Sequence, residues 1–172
     1  AALLGGGGCS HMAAAPANAE AINADSSANR ARSTGPTLIV DTHIDAPFRL
    51  HRAYADLAQA VPTRDFDYPR AKAGGLNGAF MSIYIPAAVD EAGEGAALAD
   101  KLIDDMEALV ATNPDKFAIA TCAADIQTQA NRGVISLPLG MENGGPMATS
   151  PEALGHFFNR GIRYVTLAHS KS

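Results

Sequence analysis

Between residues 38 and 169, short apolar runs alternate with stretches of helical character, and no other feature of this 172-residue chain constrains its fold as much. The runs 38–42, 79–85, 117–121, 134–142 and 163–169 read as strands, rich in branched and aliphatic residues and bounded by turn residues. Helices are expected over about 46–60, 95–112 and 124–131, and after Ser150. In the second of these, Leu98, Leu102, Met106, Leu109 and Val110 share one face, and Asn113-Pro114 stops it. In the last, Ser150 is a suitable N-cap, Pro151 suits the first turn and Gly161 ends the pattern.

Strands separated by helices imply a parallel sheet with right-handed crossovers. An open doubly wound sheet would accommodate five strands, yet no Gly-x-Gly-x-x-Gly follows the first strand, and Thr42-His43-Ile44-Asp45 would make a poor phosphate loop. A (β/α)8 barrel needs about 250 residues. The expected fold is therefore α/β, the amino-terminal portion of a TIM-type barrel with about five βα units, cut short, occupying residues 37–172.

Polar, metal-capable side chains recur where these strands end. The first strand runs into His43 and Asp45, the fourth into Glu142 and the fifth into His169. Residues two apart on a strand point to one side, so His43 and Asp45 are expected to converge. Imidazole nitrogen and carboxylate oxygen suit zinc and its neighbours. Barrel chemistry sits at the carboxyl ends of strands. Taken singly, each residue reads better as a helix-capping acid or a satisfied buried histidine; the joint arrangement argues against that.

With 47% hydrophobic and 18% charged residues the chain has an ordinary globular composition. A net charge of −5 without a Lys/Arg cluster argues against a nucleic-acid surface. No uninterrupted apolar stretch is long enough to span a bilayer. Cys9 and Cys122 form no Cys-x-x-Cys site, and Cys122 reads as a small buried hydrophobe. Residues 1–36 are rich in Ala, Gly, Ser and Asn without amphipathic period, which predicts a disordered arm. Its opening resembles the tail of an export signal, and Cys9-Ser10 resembles a lipoprotein attachment site, although leucine is not three before the cysteine. Ser10-His11-Met12 also resembles a cloning remnant, but the export-signal reading is preferred.

Four blocks, in order, resemble the membrane (renal) dipeptidase family, the M19 metallopeptidases of the amidohydrolase-type barrels. They are Asp41-Thr42-His43-Ile44-Asp45; Asp67-Tyr68-Pro69-Arg70 with Gly74 through Pro86; Gly140-Met141-Glu142-Asn143-Gly144; and Gly161 through Ser170. Two departures are Thr42, where glycine is common, and Asn143, where glycine often follows the glutamate.

The resemblance implies a zinc-dependent dipeptidase that hydrolyses dipeptides through a metal-bound hydroxide, with two zinc ions in the complete protein. By the same resemblance His43 and Asp45 hold the first metal, Glu142 bridges both, and His169 binds substrate and its developing oxyanion without ligating metal. The second metal's histidines, and an arginine and aspartate serving substrate, are expected beyond Ser172. The chain alone is thus expected to hold at most one metal and to be inactive. A homodimer when full length, an exported, periplasmic or lipid-anchored location through Cys9, and no nucleic-acid partner complete the expectation. The alternatives are cleavage of a lactam or cyclic amide on the same metal frame, or a truncated non-catalytic relative.

The remaining polar residues have a plainer reading. His51 is expected on a solvated face, His156 in a structural role, and Asp104, Asp105 and Glu107 on a polar helix side. Tyr84 is expected either to face the pocket or to pack.

Overall fold

The computed structural model describes residues 37–169. The expectations for residues 1–36, Cys9 included, lie outside these. In chain order the elements are β1 (Val40–Ile44), α1 (Ala46–Arg52), α2 (Tyr68–Ala73), β2 (Gly78–Tyr84), α3 (Ala87–Glu91), α4 (Gly95–Thr112), β3 (Phe117–Ala120), α5 (Ala123–Asn131), β4 (Ile135–Glu142), a 3-10 turn at Gly145–Met147, α6 (Pro151–Asn159) and β5 (Ile162–Thr166).

All strand pairings are parallel, as the alternating pattern predicts. The order is not a simple succession. β1 pairs β2 and β2 pairs β4, while β3 and β5 both pair β4. β2 runs along β4 from Ser136 to Glu142, so its partners β3 (against 135–138) and β5 (against 139–142) must share the opposite edge, end to end. β3 thus flanks the base of β4 and leaves its upper half to β5.

Period-two alternation divides the central strands into two faces. Ala79, Met81 and Ile83 of β2 and Leu137, Leu139 and Met141 of β4 are fully buried in the core. Leu102, Ile103 and Met106 of α4 join them, as the helical period requires. The other face carries Phe80, Ser82 and Tyr84 of β2, and Ser136, Pro138, Gly140 and Glu142 of β4.

Predicted boundaries move, beginning with β1, which spans Val40–Ile44 rather than 38–42. α1 stops at Arg52 rather than near residue 60. Asp56 there accepts from the amide of Ala58 (3.0 Å) and its carbonyl from that of Gln59 (3.0 Å), a local turn that competes with the helix. α2 falls on a stretch where the sequence pattern predicts no helix, although Asp67 caps it by accepting from the Arg70 amide and Pro69 lies in its first turn. β5 ends at Thr166, so His169 lies beyond the strand. Cys122 is half-buried rather than core; it caps α5, with Asp125 accepting from its amide at 3.1 Å. Among the described residues, no helix is long and apolar enough to cross a membrane.

Candidate metal centre

His43, Asp45 and Glu142 each offer a ligand atom, and these atoms lie within 4.8 Å of one another. The imidazole Nε2 of His43 is 3.2 Å from Asp45 Oδ1 and 3.1 Å from Glu142 Oε2. His169 Nε2 approaches the other carboxylate oxygen, Glu142 Oε1, at 3.0 Å. The four residues singled out in the sequence therefore meet around one carboxylate.

The route by which His43 and Asp45 converge differs from strand alternation. Asp41 lies opposite Ala79 and Ile44 opposite Met81, so two residues of β1 face the single Phe80 of β2. This is a β-bulge, rare in parallel pairings, and bulges re-aim side chains beside functional sites. It keeps Ile44 against the core and turns His43 to the other face. The Asp41 carboxylate accepts from the His43 amide at 2.9 Å and steadies the irregularity. Asp45 lies outside the strand, at the N-cap of α1, but its side chain makes no capping hydrogen bond. Its carboxylate remains directed at His43 instead, which removes the helix-capping interpretation for this residue.

Glu142 is held differently. Its side chain is only 13% exposed, against 40% for His43 and 59% for Asp45. The buried Ser82, from the paired strand β2, donates its hydroxyl to Glu142 Oε2 at 2.7 Å. Asn143 follows with φ +77°, the left-handed region that glycine and asparagine tolerate best. Asparagine thus supplies the backbone geometry a glycine would. Its side-chain Nδ2 also donates to the Ile85 carbonyl (3.0 Å), while its Oδ1 accepts from the Gly145 backbone amide (3.1 Å).

Ser82 and Tyr164 were not singled out in the sequence. The Tyr164 hydroxyl lies 2.8 Å from His43 Nδ1, the ring nitrogen turned away from the carboxylates. Burial first, then the negative charges of Glu142 and Asp45, hold this phenol above its ordinary pKa, so it stays protonated. The period-two pattern offered the one available signal for both: Ser82 shares a strand face with Tyr84, and Tyr164 lies opposite Gly140 on the face that carries Glu142.

Two clefts open at the cluster. One, about 290 Å³, is lined by Asp45, Phe48, Arg49, Tyr84, Glu142 and His169. The Tyr84 ring meets Phe48 and His169 edge-on, at 5.3 and 5.0 Å between centroids, so Tyr84 both faces the pocket and packs. The other, about 280 Å³, joins Asp41, His43 and Asp45 to Arg64, Asp65 and Phe66 of the segment after α1. Arg49 lines both clefts and pairs with Asp65.

The other described histidines, His51 and His156, stay outside. His156 pairs with Asp100 of α4 at 2.8 Å, a structural contact as expected. His51 is not purely solvated: it lies 3.8 Å from Asp105. Asp104 and Glu107 likewise do more than face solvent, since both pair with Arg160, which follows α6.

A parallel α/β sheet with one imidazole and two carboxylates gathered at its strand ends defines a candidate metallohydrolase site. The family model for membrane dipeptidase (peptidase family M19) matches residues 30–172, and the chain belongs to that family. Dipeptidase ataJ of Aspergillus terreus is 32% identical over 146 residues, covering 78% of this chain and 36% of its own length. Dipeptidase 3 of mouse is 27% identical, with 78% of this chain and 27% of the relative covered. The chain thus spans about a third or less of these curated relatives. Among solved structures, the M19 metallopeptidase dipeptidase AC superposes with TM-score 0.65 at 23% identity, covering 78% of this chain and 43% of that one. A metallopeptidase from Rhodobacter sphaeroides, liganded with a phosphinate mimic of the dipeptide L-Ala-D-Ala, gives TM-score 0.65 at 21% identity, with 78% and 46% covered. These likenesses establish the shared α/β fold.

Proposed function

We propose that the protein carrying this chain is a metal-dependent dipeptidase, with zinc as its metal and two ions in the complete site. The observation that carries this reading is the meeting of His43 Nε2, Asp45 Oδ1 and Glu142 Oε2 at the strand ends. The donor set fits the group: one neutral nitrogen and two anionic oxygens suit a borderline divalent cation, and Asp45 is free of any capping duty. Family membership and the dipeptidase names of its relatives support the substrate class.

His43 and Asp45 would hold one ion, and Glu142, with one oxygen toward His43 and the other toward His169, would bridge to a second. A bound divalent metal supplies Lewis acidity and a water ionisable near neutral pH. The chain's own residues supply the rest. Ser82 fixes the Glu142 carboxylate so that no reorientation is needed during reaction. His169 lines the cleft beside Tyr84, where its ring N–H can donate to a peptide carbonyl as charge develops there. Phe48 and Tyr84 give that cleft an apolar wall that excludes water from one side.

An exported or lipid-anchored location belongs to the same proposal and rests on the small-residue run and Cys9. A homodimer rests on the family resemblance alone. The test is hydrolysis of a dipeptide panel by the longest natural form of the protein, with and without chelator. Activity lost on chelation and restored by zinc is the expected result; a folded, zinc-loaded protein that cleaves no dipeptide overturns the proposal.

A further inference from the structure

We infer that Tyr164 is a positioning residue for the metal centre, orienting His43 so that Nε2 is the nitrogen offered to metal. The inference rests on the metal-centre reading above. An imidazole can ligate through either nitrogen, and the partner of the other nitrogen decides which. In His43 that partner is the Tyr164 hydroxyl, 2.8 Å from Nδ1, while Nε2 faces Asp45 and Glu142.

The tyrosine is itself tightly placed. Its ring lies against Gly140 on the paired strand, where any Cβ would overlap the ring atoms. Phe80 packs on it from β2, with 5.2 Å between ring centroids. Gly140 thus makes the recess that lets an aromatic from β5 reach across the sheet face to β1. The two strands share no pairing, so this hydrogen bond links the site's two outer strands.

A hydroxyl also suits the task better than a carboxylate would. In the neutral metal-free ring, a proton on Nε2 would face the two carboxylates, leaving Nδ1 to accept from the phenol. With metal on Nε2, the proton must sit on Nδ1, and the phenol oxygen accepts it. A hydroxyl serves both arrangements because it both donates and accepts. It also adds no third negative charge beside Asp45 and Glu142.

The experiment compares wild type with Tyr164→Phe in the longest natural form of the protein, by zinc titration against a competing chelator and by nitrogen-15 NMR of labelled histidine. Phenylalanine keeps the ring against Gly140, so thermal unfolding should be nearly unchanged. The expected result is zinc affinity weakened roughly 10–100-fold, the range for loss of an outer hydrogen-bond partner. The His43 ring should also change its tautomer balance in the metal-free protein, which a merely structural role would not cause. If wild type binds zinc and Tyr164→Phe binds it equally, with the imidazole spectrum unmoved, the assignment to Tyr164 fails alone. If wild type binds no zinc, the metal-centre reading fails and this inference with it.

Discussion

The central strands and the outer strands contribute to one site under very different constraints. β2 and β4 are paired along their length and buried on the core face, with Met81, Ile83, Leu139 and Met141 wholly inaccessible. In β1 the run Asp41 to His43 is exposed, and in β5 so are Arg163 and Thr166. Glu142 and its partner Ser82 come from the first pair; His43, Asp45 and His169 come from the outer strands and their ends. The difference teaches that this site has one fixed point and several movable ones. Rigidity in a sheet follows from pairing on both edges and burial on both faces; β2 and β4 are paired on both edges, and among the described strands β4 is the most completely buried. If Glu142 bridges two ions as proposed, the fixed point is where it belongs, because both ions would take their position from it.

Removing the fixed point is the strongest way to break this comparison. Glu142→Ala should abolish zinc binding, a loss beyond the roughly 10–100-fold expected for an outer hydrogen-bond partner. Asp45→Ala should cost less, since its side chain is 59% exposed and held by His43 alone among the described contacts. Isothermal titration of both variants checks the ranking, and equal losses would show that Glu142 has no special standing.

Stability should follow the same division. Leu139→Ala, at a fully buried position of β4, should lower unfolding free energy by about 2–5 kcal/mol through lost burial and a residual cavity. Ile39→Ala, half exposed beside β1, should stay within about 0.5 kcal/mol. Urea denaturation of the two variants measures the contrast. A comparable cost at both positions would mean that the outer strand is as tightly packed as the centre.

This division also explains what the sequence revealed. The strands, the helix Gly95–Thr112 and the residues His43, Asp45, Glu142 and His169 were legible because apolar period and turn residues mark them locally. The bulge in β1 was not, since it is defined by register against β2, which no local pattern encodes. Nor was the place of β3, whose four residues read as an ordinary βα unit but pair only with the base of β4. Ser82 and Tyr164 escaped for a related reason: their roles come from partners 60 and 121 positions away. Asp67, by contrast, was visible as part of a motif without its physical role.

That role sharpens the comparison on the side of β1. Asp67 is buried, and burial acts to raise its pKa. The amides of Arg70 and Val61 and the Arg70 guanidinium outweigh this and hold the carboxyl below its ordinary value. It thereby pins the segment that walls the His43–Asp45 cleft. A carboxylate depressed on folding contributes stability above the ordinary carboxylate range, and that contribution is lost as pH falls through the folded value. Asp67→Ala should therefore cost about 2 kcal/mol at neutral pH, from the lost cap and unsatisfied amides, and less in acid. Stability curves against pH for the two proteins should converge below about pH 4. Parallel curves would show that the carboxylate's charge is not what pins the segment.

The smallest effect tests whether the β5 side is positioned by the sheet or by surface charge. Arg160, between α6 and β5, pairs with Asp100, Asp104 and Glu107 of α4, at 2.7, 2.6 and 3.2 Å. Asp104 and Glu107 are more than half exposed, so solvent screens much of this attraction. Arg160→Met should cost about 0.5–1 kcal/mol and less at high salt. β5 would keep its pairing with β4 from Leu139 to Glu142, and Tyr164 its recess at Gly140. Zinc affinity should then be unchanged. If Arg160→Met instead weakens zinc binding as far as Tyr164→Phe does, the charged clasp and not the sheet places β5, and the outer strand is looser than its pairing implies.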